Sequence, residues 1–309
     1  MAAASGKTVL IGGGSGFIGT ALTNALKSKG YLVRVVSRKP GPLNMSWTEL
    51  EKKGLPENCT AVVGMAGQNV FDITRRWTAG FQQNVWASRV LTTRTLASVI
   101  NRAEEKPKVF ISMSGVGYYK PSATEEYTED SPGGDFDFLS KLAKDWEDAS
   151  KLPSSCNSVR RVIIRSGVVL GREGGMINNL YWPFFFGVGG PVGSGQQYFP
   201  WIHIKDMVDL IIYSMETEKV SGVLNGVAPQ VITNKEFAKA FGKALWRPAF
   251  IPVPTFVLNA AFSEERAKIM TEGQKVIPKR TLELGYKFKY QDIDSTCKSC
   301  SAFIYSDTM

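Results

Sequence analysis

The stretch Thr8–Leu22, TVLIGGGSGFIGTAL, constrains the fold more than any other part of the chain. A run of β-forming residues ends at Ile11, the spacing Gly13-x-x-Gly16-x-x-Gly19 follows, and an amphipathic helical pattern begins at once. Glycines spaced this way between a strand and a helix provide a tight turn, backbone approach to a pyrophosphate and close helix–sheet contact. The helix N-terminus beyond them offers unpaired N–H groups and positive potential to phosphate oxygens. Gly13, Ser15, Gly16, Phe17, Ile18 and Gly19 are therefore expected to contact a dinucleotide. The competing reading is a purely structural turn.

The rest of the chain repeats the alternation. Apolar β-rich runs at TVLIGG, YLVRVVSR, AVVGMAG, KVFISMS, VRRVIIRSGVVLG and GVLNGVA are separated by helical patterns such as GTALTNALKSKG and SRVLTTRTLASVINRAEEK. Strands divided by helices predict an α/β fold, a Rossmann-type doubly wound parallel sheet. From about residue 172 the pattern turns to Gly, Pro and aromatic residues, which predicts a smaller C-terminal substrate lobe. The expected organisation is a dinucleotide-binding domain over 7–171, with 200–230 returning to it, a substrate lobe over 172–199 and 231–291, and a partly disordered tail over 292–309. No internal repeat or low-complexity segment is visible.

The end of the second strand selects the dinucleotide. NAD binders place a carboxylate there to hold the ribose hydroxyls. This chain has VVSRKP instead, and Ser37, Arg38 and Lys39 suit a 2′-phosphate through charge-assisted hydrogen bonds. The expected cofactor is NADP(H), and the alternative is a solvated strand end. Because ligands lie across the carboxyl ends of parallel strands, Ala66, Gly67 and Gln68 should border the cofactor, as should Ser166, Gly167 and Val168. Arg89 is placed facing the same cleft, the competing position being the helix surface.

Composition narrows the partners. The formal net charge of +9 suits anionic ligands, but the basic residues are scattered without a basic helix or aromatic-interleaved stripe, so no nucleic-acid partner is expected. No apolar run reaches the roughly 18 residues of a membrane span. MAAASG is too short for a signal or transit sequence, and four irregularly spaced cysteines fit a reducing compartment. A cytoplasmic monomer or homodimer is expected, with an organelle as the alternative.

GGGSGFIGTAL, VVSRKPG, ASRVLTT, GYYKP, SPGGDFDFLSKL, RSGVVLG, GVGGPVGSG, FPWIHIKDM, LNGVAP and GQKVIPKR, spread over about residues 8–290, form a specific set. On these motifs the chain resembles the extended and atypical short-chain dehydrogenases/reductases, and within them the epimerase family proteins. The resemblance implies a Ser or Thr after the fifth strand, then a Tyr and, four residues on, a Lys on a helix. Tyr serves as general acid or base on a substrate oxygen, Lys lowers its pKa and holds the ribose, and Ser orients the oxygen. The matching hydroxyl is Ser114, with Ser112 also at the strand end, and Lys141 matches the lysine. The residue four before Lys141 is Asp137, so the helix carries no Tyr-x-x-x-Lys. Tyr118 and Tyr119, after the Ser114 turn, and Asp137 itself are the candidate replacements, Tyr118 first.

The single histidine, His203, excludes a histidine-built metal site and a Ser-His-Asp triad, so no metal is expected. His203 is expected to be structural, and Asp206 to cap the next helix. Cys297-x-x-Cys300 lacks a second pair, which disfavours a zinc or redox site. The aromatic stretch NNLYWPFFFGVGGPVGSGQQYFPW reads equally as a lid and as packing between lobes. The leading functional expectation is NADP(H)-dependent oxidoreduction of an unknown small molecule. The alternatives are a non-catalytic NADP(H)-binding regulator and a nucleotide-sugar epimerase or dehydratase.

Overall fold

The structure is a computed structural model that describes residues 6–38, 41, 44–70, 72 and 75–302. Lys39 and residues 303–309 lie outside them. In chain order the strands are β1 (Thr8–Gly12), β2 (Leu32–Val36), β3 (Asn44–Met45), β4 (Cys59–Gly64), β5 (Val109–Gly115), β6 (Glu126–Tyr127), β7 (Arg160–Ser166), β8 (Val168–Gly171), β9 (Trp201–His203), β10 (Gly222–Gly226) and β11 (Lys275–Val276). The helices are α1 (Phe17–Ser28), α2 (Trp47–Lys53), α3 (Ala79–Arg102), α4 (Phe138–Ala149), α5 (Gly175–Phe185), α6 (Ile204–Glu216), α7 (Asn234–Ala244), α8 (Thr255–Phe262), α9 (Glu264–Thr271), α10 (Lys279–Glu283) and α11 (Ile293–Ser301).

Seven strands form one parallel sheet in the order β10-β7-β5-β4-β1-β2-β3, the doubly wound Rossmann arrangement. Side chains alternate across a strand, so each strand feeds both faces. Val9, Ile11, Val63, Ile111 and Val162 meet Leu22 and Leu26 of α1 and Leu210 and Ile211 of α6 on one side. Leu10, Val36, Val62 and Phe110 meet Leu96, Val99 and Ile100 of α3 on the other. Both faces are covered, as the near-continuous apolar strands require. The strand order reverses at β1 and β4, which opens a crevice at their carboxyl ends.

VRRVIIRSGVVLG is two strands rather than one. At Gly167 a Cβ would sit 2.7 Å from the Pro200 carbonyl oxygen; the chain leaves the main sheet there, and β8 pairs with β9 instead. A second core follows, in which Leu170, Ile177, Tyr181 and Phe184 pack with Phe237 and Phe241 of α7 and Cys297 and Cys300 of α11. The aromatic stretch, open between a lid and packing, begins as helix α5 with Tyr181 and Phe184 buried, because its apolar residues recur at helical spacing. Two expectations need correction. The expected tail holds an ordered helix: Asp292 caps α11 by accepting from Ser295 N–H at 2.8 Å, and both its cysteines are buried in the second core. Asp206 is not the cap of α6. His203 caps it through Nδ1, accepting from Lys205 N–H at 3.1 Å. Asp206 is buried and accepts from the backbone N–H groups of Lys289 and Tyr290 at 2.7 and 2.8 Å, so it pins the chain returning from α10.

Candidate active site and cofactor cleft

The glycine turn is built at three points. Gly13 adopts φ +87°, and a Cβ there would lie 2.6 Å from the Ala66 Cα, so only glycine brings the β1 turn against the end of β4. At Gly19 a Cβ would lie 2.6 Å from the Gly13 carbonyl oxygen, which lets α1 start tight against the turn. Gly16, the N-cap of α1, is different: its φ is −82°, and the nearest atom to a Cβ would be the Gly13 oxygen at 3.5 Å. No protein atom forbids a side chain there. The open space lies at the N-terminus of α1, where a pyrophosphate would approach, so the residues present fit a dinucleotide. Phe17 faces the other way, its ring supporting the close-packed Gly171, Gly174 and Gly175.

Around this turn the other residues expected to border the cofactor lie along the strand ends. Ser15 and Ser37 share a hydrogen bond at 3.0 Å, joining the turn to the end of β2, and Arg38 beside them is exposed. After β4, the Gln68 N–H donates to Ser88 Oγ at 2.8 Å, and a Cβ on Gly67 would lie 2.9 Å from the Arg89 guanidinium carbon. Arg89 thus lies against the β4 end, donates to the Val85 carbonyl at 3.1 Å, and has its pKa pushed down to about 10 by burial. Ser112 is fully buried and donates to the Met113 carbonyl. Ser166 donates to the Gly167 carbonyl, and Val168 N–H is taken by the Pro200 carbonyl, so these groups shape the strand end.

At the ends of β5 and β7 lies a buried polar network. Ser114 Oγ donates to Glu147 Oε1 at 2.9 Å. Arg165 grips the same carboxylate with both arms, Nε to Oε1 at 2.7 Å and one Nη to Oε2 at 2.8 Å. Its other Nη donates to the Tyr119 hydroxyl at 2.9 Å, which in turn donates to Asn225 Oδ1 at 2.8 Å. The Tyr118 ring lies 3.5 Å from the Arg165 guanidinium carbon, and Gly133 and Gly134 leave the room it occupies. Burial raises the Tyr119 pKa, whereas the Glu147 carboxylate holds the Arg165 guanidinium charged, above the usual arginine range.

Of this network the sequence singled out Ser114, Tyr118 and Tyr119 as candidates and passed over Glu147, Arg165 and Asn225. A signal existed: Arg165 sits among strand residues that are otherwise apolar, and Glu147 falls on the buried stripe of α4 with Leu142, Ala143 and Trp146. A charge in a buried stripe calls for a partner. Asp137 and Lys141 make no hydrogen bond to this network. Asp137 is the N-cap of α4, accepting from Ser140 N–H at 2.7 Å while its own N–H goes to Ser140 Oγ, and these bonds occupy it with starting the helix. Lys141 is exposed in the first turn, and its side chain makes no hydrogen bond or ion pair among the described residues.

His203 is buried, stacked on Tyr290 with ring centroids 3.7 Å apart, and burial pushes its pKa down to about 3. It is a neutral cap, remote from acid–base work at neutral pH. Among the described residues no group of His, Cys, Asp or Glu side chains could hold a metal ion, and no helix is long and apolar enough to cross a membrane.

Residues 9–147 match the NAD dependent epimerase/dehydratase family, and residues 253–300 match a domain of unknown function. The epimerase family protein SDR39U1 of Bos taurus is 52% identical over 295 residues, covering 95% of this chain and 99% of that protein. The chloroplastic SDR39U1 homolog of Arabidopsis thaliana is 37% identical over 306 residues, covering 94% and 86%. The crystal structure of human SDR39U1 with NADPH superposes with a TM-score of 0.93 at 51% identity, covering 95% of this chain and 99% of that one. The chain belongs to the SDR39U1 group of epimerase family proteins, on the short-chain dehydrogenase/reductase fold.

Proposed function

We propose that the chain is an NADP(H)-dependent oxidoreductase acting on a small carbonyl or alcohol. The observation that carries this reading is the Ser114–Glu147–Arg165–Tyr119 network with Tyr118 against it, at the strand ends that border the glycine turn. The human relative's structure with NADPH supports the cofactor. Gly13, Gly16 and Gly19 admit the pyrophosphate, Ser37 and Arg38 hold the 2′-phosphate, and Arg89, lying against Gly67, adds a cation to the cleft. The cofactor, when bound, supplies or accepts the hydride. Tyr118 donates the proton to the substrate oxygen in the reductive direction, and water restores it. Ser114 orients that oxygen, Glu147 and Arg165 hold Ser114 and Tyr118 in place, and Lys141 is free to reach the ribose. Asp137 acts on the helix start rather than on a proton.

The test is NADPH oxidation by a broad panel of carbonyls. Turnover that falls about a hundredfold in both Tyr118→Phe and Ser114→Ala supports the assignment. Failure of every carbonyl to oxidise bound NADPH would count against it.

A second reading, an NADP(H)-binding regulator without turnover, draws on the Ser114 hydroxyl already being committed to Glu147 and on the helix lacking its Tyr. Under that reading, Arg38→Ala loses cellular function while Ser114→Ala and Tyr118→Phe keep it. Nucleotide-sugar epimerisation draws less support, since residues 174–204 carry no Lys or Arg to meet a diphosphate. Four free cysteines suit a reducing cytoplasm or organelle stroma.

A further inference from the structure

The second core leaves one face apolar and open. Trp182, Phe186 and Val188, at the end of α5 and just past it, are exposed, as are Trp246 and Phe250 after α7 and Phe256 on α8. They form one surface because their segments run side by side. Trp182 and Phe186 stack at 5.9 Å, Arg247 donates to the Phe185 carbonyl at 2.8 Å, and Val192 bridges to Val253 just before α8 begins. Helix α8, TFVLNAAF, has no charged residue, yet of its apolar side chains only Leu258 is buried. A helix that is apolar all round is ordinarily a buried one. Trp246 carries two costs at once: its φ is +58°, unusual for a bulky residue, and its side chain is 88% exposed.

The exposed charge nearest this face is mainly basic and sits on α7, where Glu236 is the one acidic residue. Residues 174–204 contain no charged side chain, and residues 244–263 contain only Arg247. The helix leading to Trp246 carries Lys235, Lys239 and Lys243 at i, i+4 and i+8, all exposed, with Lys243 reaching Asp294 at 3.2 Å in an exposed pair. Tryptophan and phenylalanine beside a lysine stripe match a lipid headgroup boundary, with the rings entering the acyl margin and the ammonium groups meeting anionic headgroups.

We propose that this aromatic face, rimmed by the α7 lysines, docks the protein peripherally on an anionic phospholipid surface. The proposal is independent of the reaction the cleft performs. The experiment is flotation of the full-length protein with phosphatidylcholine vesicles with and without 30% phosphatidylglycerol, a composition chosen as roughly that of a strongly anionic bilayer. Binding to the anionic vesicles alone, weakened by salt, is expected. Lys239→Glu with Lys243→Glu should lower partitioning by roughly fivefold or more per site, and Trp246→Ser with Phe250→Ser and Phe256→Ser should abolish it. All five positions are exposed, and retained NADPH affinity verifies that each variant is folded. Failure of the wild type to float overturns the proposal. So does a light-scattering mass of two chains that the aromatic variant halves, since the face then belongs to a second copy.

Discussion

Gly13 and Gly16 separate the two reasons a glycine can occupy this turn. Gly13→Ala places a Cβ against the Ala66 backbone at a positive φ, and the cofactor-free protein should lose roughly 1–3 kcal/mol in urea unfolding. Gly16→Asn keeps a good helix N-cap and meets no protein atom closely. Its cofactor-free stability should change by less than about 0.5 kcal/mol while its NADPH affinity falls at least tenfold by calorimetry. Equal affinity in Gly16→Asn and wild type would mean that the turn holds no pyrophosphate. His203 gives the residue-scale pH prediction. Its pKa is depressed from an unfolded value near 6.5 to about 3, so the native state favours the neutral ring. That stability is present above about pH 6.5 and is lost as the pH falls toward 3, at up to ~1.4 kcal/mol per pH unit. His203→Asn, which can still cap α6, should flatten this part of the stability profile, and an unchanged acid slope would show that the ring titrates freely.

At the scale of elements, α4 is the brace of the site. It begins with the Asp137–Ser140 capping box, packs Trp146 on α3 through a bond from Nε1 to Thr93 Oγ1 at 2.9 Å, and delivers Glu147 to Arg165 from its last turn. Glu147→Gln leaves the buried Arg165 guanidinium without its counter-charge, and a loss of roughly 3–5 kcal/mol is expected in denaturant unfolding. A change below about 1 kcal/mol would show that the pair is solvated. Helix α11 makes a second element-scale prediction. The Cys300 thiol is pushed up to about 12, and that of Cys297 higher still, both chiefly by burial. Neither should react with an alkylating reagent at pH 8 until the protein unfolds, because the thiolate is the nucleophile. Rapid native-state labelling at either position, read by peptide mass, would mean that α11 does not stay docked on α7.

The whole molecule joins a nucleotide-binding sheet to a second core through the β8–β9 pair, and a ligand at the strand ends should stabilise both together. At a hundredfold excess of NADPH over its Kd, binding to the native state alone adds about 2.7 kcal/mol, seen as a rise in Tm. Arg38→Ala should lose most of the difference between the NADPH and NADH shifts, because a charge-assisted bond to the 2′-phosphate contributes roughly 1.5–3 kcal/mol. Equal shifts from the two cofactors in the wild type would remove Arg38 from the site.

Local chemistry determined the parts of this protein that a short window of sequence can hold. The Gly13, Gly16 and Gly19 spacing, the strand–helix alternation and the Ser-Arg pair ending β2 announced a doubly wound sheet and its nucleotide cleft, because turn geometry, side-chain period and charge act within a few residues. Ser114, Tyr118 and Tyr119 could be singled out as candidates for the same reason, lying together at one strand end. Glu147, Arg165 and Asn225 come from three elements far apart in the chain and meet only when β5, β7, β10 and α4 pack. The C-terminal segment was misread because α11 is mostly polar and gains its stability from burying Ile293, Cys297 and Cys300 against α7, a contact no local pattern encodes. Asp206 was misread because its partners, the Lys289 and Tyr290 amides, lie more than eighty residues downstream. Tertiary structure decided which charges are buried together, since the cost of burying a charge falls only when a distant partner arrives to meet it.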